Sequence, residues 1–95
     1  MINTKCGTFE LLKNNKEVFD KNVFEEKYIE EIYDKYDYIL GDISGSILRL
    51  TGFTKEESGE KSYNLIPDFL IESCAFQCGY YILKRNGKGN NNEEV

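Results

Sequence analysis

The chain has 95 residues, of which 40% are hydrophobic and 31% charged, and its formal net charge at pH 7 is −5. A chain of this length can build one hydrophobic core, but it has no room for a second domain or for a deep cavity with its own scaffold. The acidic balance predicts repulsion from a phosphate backbone, so nucleic acid is not an expected partner. Neither a secretory leader nor an apolar run of the roughly 20 residues needed to cross a bilayer is evident, which predicts a cytoplasmic protein without membrane association.

The first half of the chain predicts a strand followed by a helix. Residues alternate between apolar and polar over Cys6–Lys13, the pattern of a strand. Asp20 is then placed to cap a helix, because its carboxylate can accept from the free amides of the first turn. The helix is predicted over Asn22–Tyr36, where acidic residues face away from an apolar stripe. That stripe contains Phe24, Tyr28, Ile29, Ile32, Tyr33 and Tyr36. The tyrosines are interpreted as core residues rather than as a platform for stacking bases.

A hairpin is predicted in the middle of the chain. Two extended runs, Tyr36–Ile43 and Ser46–Phe53, flank a Ser-Gly pair that is typical of a tight turn. Gly41 and Gly52 lie inside these runs, where a glycine indicates a bulge, a bend or a close neighbour.

The remaining elements complete one α+β domain. Residues 54–62 are predicted to form a mobile loop, Pro67 to lie in the first turn of a short helix, and Tyr80–Arg85 to form the last strand. The tail over residues 86–95 has almost nothing to bury and is expected to be disordered. The predicted order over residues 1–85 is β-α-β-β-α-β, a mainly antiparallel sheet with its helices packed on one face.

Several stretches of the chain resemble the YutD-like family of small bacterial proteins. They are YDYILGD at 36–42, LRLTGF at 48–53, and the block from Asp68 to Leu83 with its paired cysteines. At positions 43–44 the chain has Ile-Ser where that family has an aromatic residue followed by glycine. The resemblance implies a small cytoplasmic α+β domain and no activity, because the family has no established one.

A second, local resemblance concerns residues 48–57, LRLTGFTKEE, which are similar to a phrase of PAS sensor domains. The Ile-Pro-Asp at 66–68 echoes the continuation of that phrase. A PAS domain has most of its sheet after the phrase, whereas only about 30 residues of ordered-looking chain remain here. A PAS-like sensor of small molecules is therefore the third hypothesis for this chain.

The three cysteines, Cys6, Cys74 and Cys78, are an odd number, which predicts reduced thiols rather than a disulfide framework. If helical, Cys74 and Cys78 share one face and are candidates for a redox-responsive pair. Their spacing is not that of a zinc knuckle, and only Cys6 and a carboxylate could complete a zinc site in a chain without histidine. Buried structural thiols are the favoured interpretation, and neither a metal nor another cofactor is expected.

Asp42 and Arg49 are the candidate binding residues. They lie on the two strands of the predicted hairpin, where a carboxylate and a guanidinium can face each other and hold a ligand. An ordinary cross-strand ion pair is the commoner result of this arrangement. A cluster of basic residues at Lys84, Arg85 and Lys88 is interpreted as a solvated chain end.

The motif content favours a binding protein over an enzyme. Without histidine the chain cannot form a Ser-His-Asp or Cys-His site, and it carries neither a Walker loop nor a dinucleotide-binding glycine motif. The leading hypothesis is a non-enzymatic adaptor or regulatory domain that binds a protein partner, as a monomer or weak homodimer. The alternative is a thiol-based redox or metal-responsive protein that uses Cys74 and Cys78.

Overall fold

The computed structural model describes residues 2–72 and 79–87. Along this part of the chain the elements are β1 (Ile2–Thr4), β2 (Gly7–Asn15), α1 (Lys21–Lys27), α2 (Glu30–Tyr33), β3 (Tyr38–Ser44), β4 (Ile47–Phe53), a 3-10 turn (Tyr63–Leu65), α3 (Ile66–Glu72) and β5 (Tyr80–Gly87). The strands form one sheet in the order β1-β2-β5-β3-β4, and every neighbouring pair is antiparallel. The predicted α+β class and antiparallel sheet are confirmed, with the short β1 as an addition.

The sheet is covered by helices on both faces, which differs from the predicted packing on one face. Successive side chains of a strand point to opposite faces. Ile39 of β3 accordingly packs in a core with Phe24 of α1, whereas its neighbour Leu40 packs in a second core with Leu70 of α3. The central strands are apolar on both sides, so each side needs a cover. We call the two sides the α1 face and the α3 face.

The predicted helix over residues 22–36 is divided into α1 and α2. Asp20 caps α1 as predicted, with its carboxylate accepting from the amides of Asn22 and Val23 at 3.0 and 3.3 Å. Tyr28 and Ile29 then have extended backbone, with ψ of 130° and 113°. The helical periodicity therefore stops at Tyr28.

The predicted apolar stripe is buried unevenly, and its later tyrosines, Tyr33 and Tyr36, pack partly buried against the core of the α1 face. Phe24 and Tyr28 lie in the core of the α1 face, whereas Ile29 and Ile32 remain 46% and 45% exposed. The segment after Tyr28 is held by hydrogen bonds from β5 to its carbonyl groups, described below, rather than by burial of these isoleucines. A long-range contact has thus overridden the local pattern.

The predicted hairpin is confirmed, with its turn at Gly45-Ser46, one residue later than the predicted Ser44-Gly45. β3 and β4 pair residue by residue over their full length, without a bulge. Gly45 and Ser46 connect them with φ of 58° and 70°, the positive values that both central residues of a type I′ turn require. This turn fixes the register that faces Asp42 with Arg49.

Gly41 and Gly52 have the close neighbours that the sequence predicted, and these neighbours are aromatic rings. A Cβ added at Gly41 would lie 2.3 Å from the ring of Tyr81, and one at Gly52 would lie 2.0 Å from the ring of Tyr36. Any side chain at either position would overlap the ring. The glycines therefore let two tyrosine rings approach the backbone of the sheet closely on the α1 face.

The irregular register lies elsewhere, between β2 and β5, where the pairing shifts between Leu11 and Lys13. β5 continues to Gly87, two residues past the predicted end of the last strand at Arg85, and residues 88–95 lie outside the described residues. In the predicted loop at 54–62, the two ends are joined by a parallel bridge between Thr54 and Ser62. None of the described helices is long and apolar enough to span a membrane.

Candidate functional site

An open groove of about 290 Å³ lies on the α3 face, between β4 at the edge of the sheet and α3. Its apolar floor consists of Phe53, Leu65 and Phe69. The polar residues around this floor are Thr51, Glu60, Lys61, Asp68 and Glu72. Three carboxylates thus oppose one ammonium group, so the groove combines an apolar floor with a negative rim.

The loop that borders the groove is held by polar contacts, two of which involve the buried Ser62. The Ser62 hydroxyl donates to the Glu56 carbonyl at 2.7 Å and accepts from the Asn64 amide at 3.2 Å, which caps the 3-10 turn. The Asn64 side chain donates to the Glu57 carbonyl at 3.0 Å. Glu60 and Lys61 are therefore carried by a loop that is tied to the turn entering α3.

α3 provides the other wall of the groove. Pro67 lies in its first turn, where the missing N–H would have no helical partner. Ile66 and Leu70 point into the core, whereas Phe69 lies beside Phe53 with ring centroids 5.9 Å apart and planes at 80°. This edge-to-face contact closes the bottom of the groove and leaves the acidic residues of α3 at its rim.

The structure brings the two predicted binding residues together. Oδ1 of Asp42 accepts from Nε of Arg49 at 2.9 Å and lies 2.8 Å from its Nη2. Asp42 is buried, with 1% of its side chain exposed, whereas the Arg49 side chain is 49% exposed. Oδ2 of Asp42 is buried without a hydrogen-bond partner in the described part of the chain.

The ion pair and the groove lie on the same face of β4. Arg49, Thr51 and Phe53 alternate along the strand, so their side chains share the α3 face. Two residues of a strand span about 7 Å, which places Arg49 at the hairpin end of the groove. The candidate site is therefore one surface, a groove with a half-exposed guanidinium at one end.

Arg85 is a buried structural residue, and its interpretation as part of a solvated basic cluster is corrected by the structure. Its side chain is 7% exposed. Nε donates to the Tyr36 carbonyl at 3.0 Å, and Nη2 donates to the Tyr33 carbonyl at 3.0 Å and to the Tyr28 hydroxyl at 2.6 Å. The guanidinium also lies 5.0 Å from the centre of the Phe9 ring. Arg85 thus fastens the segment after α1 to the sheet.

A signal for this role was present in the sequence. Tyr81, Leu83 and Arg85 alternate along β5, so Arg85 continues a row whose other members are buried on the α1 face. Because Arg85 lies beside lysines and next to the tail, its place in this alternating row was not recognised from the sequence. The alternation of buried side chains along β5, rather than the charge of the neighbouring lysines, marks Arg85 as an inward-facing residue.

A model of the family described as "Putative antitoxin YutD-like" matches residues 3–84. The chain belongs to the YutD-like family. It is 35% identical over 89 residues to "Putative antitoxin YutD" of Bacillus subtilis (strain 168), which covers 90% of this chain and 97% of that protein. It also matches the solution NMR structure of protein yutD from B. subtilis with a TM-score of 0.74 and 33% identity, covering 100% of this chain and 90% of that one. The resemblance found in the sequence is thereby confirmed.

The described part of this YutD-like chain gives the thiol hypothesis no support. Cys74 and Cys78 lie outside the described residues. Burial raises the pKa of the Cys6 thiol, and this effect outweighs the hydrogen bond with Thr4, which lowers it. A raised pKa reduces the thiolate fraction at neutral pH and with it the reactivity of Cys6. Residues 2–72 and 79–87 contain no group of three or more His, Cys, Asp or Glu side chains that could hold a metal ion.

Two tyrosines of the YutD-like chain are held in the neutral form. Burial raises the pKa of Tyr81, and the negative charges of Asp20 and Asp42 raise it further. Burial likewise raises the pKa of Tyr28, whose hydroxyl donates to the Asp34 carboxylate. Both hydroxyls therefore keep their protons far above neutral pH, and neither acts as a base there.

Proposed function

We propose that this YutD-like chain is a regulatory domain that acts by binding a protein partner, and that this partner is a toxin whose action the bound domain blocks. The B. subtilis relative carries the name of an antitoxin, and a domain this small can oppose a toxic protein by covering a surface of it. The observation that carries the proposal is the groove on the α3 face, with its apolar floor and acidic rim.

The groove suits a protein segment better than a cofactor. Its volume of about 290 Å³ lies at the lower limit of small-molecule pockets, which are roughly 300–1,000 Å³. A few apolar side chains fill such a space. Leu65 in its floor is among the exposed large hydrophobic residues, so the floor is accessible from outside.

The charge of the groove supports a basic segment as its occupant. The rim carries Glu60, Asp68 and Glu72 against Lys61, and the whole chain has a net charge of −5. An acidic partner would be repelled, whereas a basic one is steered towards the rim. We therefore expect a cationic amphipathic helix of the toxin, with its apolar side against Phe53 and Phe69.

A synthetic peptide tests the groove before the toxin is known. The probe is a labelled helical peptide of leucine and lysine, and the control is the same peptide with glutamate in place of lysine. Fluorescence anisotropy is expected to show binding of the cationic peptide alone, with NMR shifts at Phe53, Leu65 and Phe69. Binding of both peptides, or shifts confined to another face, would count against the groove.

The matched control for the rim is a pair of double charge reversals. Asp68→Lys with Glu72→Lys changes the rim, and Glu30→Lys with Glu31→Lys makes the same change of net charge on the exposed side of α2. Both alter long-range steering equally. Only Asp68→Lys with Glu72→Lys is expected to weaken binding of the cationic peptide by tenfold or more. Equal weakening would show that net charge, not the groove, holds the peptide.

A genetic experiment tests the antitoxin role itself. Loss of the gene from the source cell is expected to arrest growth, and mutations that restore growth are expected to fall in the gene of the toxin. The purified toxin should then compete with the cationic peptide for the wild-type chain. Growth that is unaffected by the loss would argue against an antitoxin.

A further inference from the structure

We infer that Arg49, oriented by Asp42, is a hydrogen-bonding anchor that captures main-chain carbonyl groups at the C-terminal end of the helix docked in the groove. The inference rests on the proposed function and adds to it the atoms that set the position of the helix. It also gives a role to the Asp42–Arg49 ion pair, because the apolar floor and the acidic rim could bind a helix without that pair.

The geometry presents the guanidinium as an ordered donor. Nε and Nη2 of Arg49 converge on a single oxygen, Oδ1 of Asp42, at 2.9 and 2.8 Å. An arginine carries five N–H groups in a rigid planar fork, so this contact fixes the plane and leaves the outer N–H groups for another acceptor. About half of the side chain is exposed, which makes these donors accessible from the α3 face.

The arrangement is a poor way to stabilise the fold. Asp42 is a charged residue at 1% exposure, and its Oδ2 has no hydrogen-bond partner in the described ranges. A buried ion pair contributes little net stability because desolvation offsets the attraction. A residue that sacrifices stability to orient a half-exposed donor is typical of a binding site, where supporting side chains hold the contacting group in place.

The acceptor is a carbonyl rather than a carboxylate, because the adjoining rim is acidic and repels anions. The last carbonyls of a helix have no partner within the helix and form the negative end of its dipole, so a cation binds there favourably. Arg85 makes this contact inside the same chain, since its guanidinium donates to the carbonyl of Tyr33, the last residue of α2. Arg49 is placed to do the same for a partner helix.

The substitution Arg49→Gln separates this role from plain electrostatics by the sign of its effect. It removes a positive charge beside a site for a cationic peptide, so electrostatics alone predicts tighter binding. Loss of a charge-assisted anchor predicts binding weaker by about tenfold or more. The probe is the leucine-lysine peptide with an amidated C-terminus, measured by anisotropy. Lys13→Gln, the same charge change on β2, is expected to stay within about twofold of wild type.

Two further variants keep the test decisive if Arg49→Gln unfolds. Arg49→Lys retains the charge but loses the planar fork of N–H donors, so it is expected to weaken binding of the peptide several-fold. Asp42→Asn combined with Arg49→Gln leaves the net charge unchanged and avoids a buried unpaired carboxylate, and it is also expected to weaken binding. In wild type, addition of the peptide should shift the Arg49 Nε–H signal and leave that of Arg85 in place.

The outcomes separate the anchor from the groove. If the peptide binds wild type and the Arg49 variants equally, or binds Arg49→Gln more tightly, the anchor is wrong and the groove stands. If the peptide does not bind wild type at all, the groove is not a binding site for a cationic helix, and the proposed role of Arg49 is wrong as well. Weakening confined to the Arg49 and Asp42 variants supports both.

Discussion

The two faces of the sheet are closed by different means. On the α1 face, the rings of Phe9, Phe24 and Tyr81 pack edge to face. The buried Arg85 of β5 hydrogen-bonds to the segment that follows α1. On the α3 face the core is smaller, centred on Leu40 and Leu70, and part of the surface remains open as the groove. Under the proposed function, the α1 face supplies stability alone, whereas the α3 face combines its smaller core with a surface for binding. Substitutions on the two faces should therefore differ in what they change.

The largest expected effect is on the α1 face, at Arg85. Arg85→Met removes hydrogen bonds to the carbonyls of Tyr33 and Tyr36 and to the Tyr28 hydroxyl in a buried site, so we expect the free energy of unfolding to fall by about 3–5 kcal/mol. Lys84→Met, the exposed neighbour on β5, removes the same charge and should change stability by no more than about 0.5 kcal/mol. Urea denaturation measures both. Equal losses would mean that Arg85 acts through charge alone.

The next largest loss of stability is expected at the two glycines that lie beneath tyrosine rings. Gly41→Ala drives a Cβ into the fully buried Tyr81, which has nowhere to move, and should cost about 2–3 kcal/mol. Gly52→Ala meets Tyr36, which is only partly buried and can rotate outward, so it should cost about 1 kcal/mol. Thermal melting of the two variants gives the order. A larger loss for Gly52→Ala would show that the Tyr36 ring is the more tightly held.

Alkaline pH probes the same face through Tyr81. Its pKa is raised by burial, so above the ordinary tyrosine pKa of about 10 the native state keeps a proton that the unfolded chain releases. The unfolded state then binds fewer protons, and stability falls as pH rises. Tyr81→Phe removes this loss, and because the Tyr81 hydroxyl has no hydrogen-bond partner in the described structure, the variant should differ little at pH 7. Urea titrations at pH 7 and pH 10.5 should show wild type losing more stability than the variant; parallel losses would contradict the burial of that hydroxyl.

The sequence predicted what local chemistry determines. The Asp20 cap depends on amides two and three residues away, and the hairpin depends on a two-residue turn, which lies one residue later than the predicted Ser44-Gly45, so each follows from a short stretch of chain. The family resemblance had the same local basis, in short stretches of the hairpin and of the block from Asp68 to Leu83.

What the sequence did not predict depends on residues far apart in the chain. The helix break at Tyr28 accompanies hydrogen bonds from Arg85, 52 residues from Tyr33 and 57 from Tyr28. The groove likewise needs Phe53 and Phe69 to meet across β4 and α3. Hydrophobic periodicity marks both phenylalanines as apolar, but it does not say which space they leave open between them.

The smallest effect on stability is expected on the α3 face, and it sharpens the comparison most. Asp68→Lys with Glu72→Lys changes two exposed side chains, neither of which packs in the core, so the free energy of unfolding should change by no more than about 1 kcal/mol. The helix dipole of α3 contributes two opposing effects. Replacing the acidic Asp68 in the first turn is unfavourable, whereas a lysine in place of Glu72 in the last turn is favourable. The same variant should lose the cationic peptide. A face that binds without contributing to stability predicts this separation, whereas a rim that also holds α3 in place would lose stability and binding together. Urea denaturation and peptide anisotropy on one preparation decide between them.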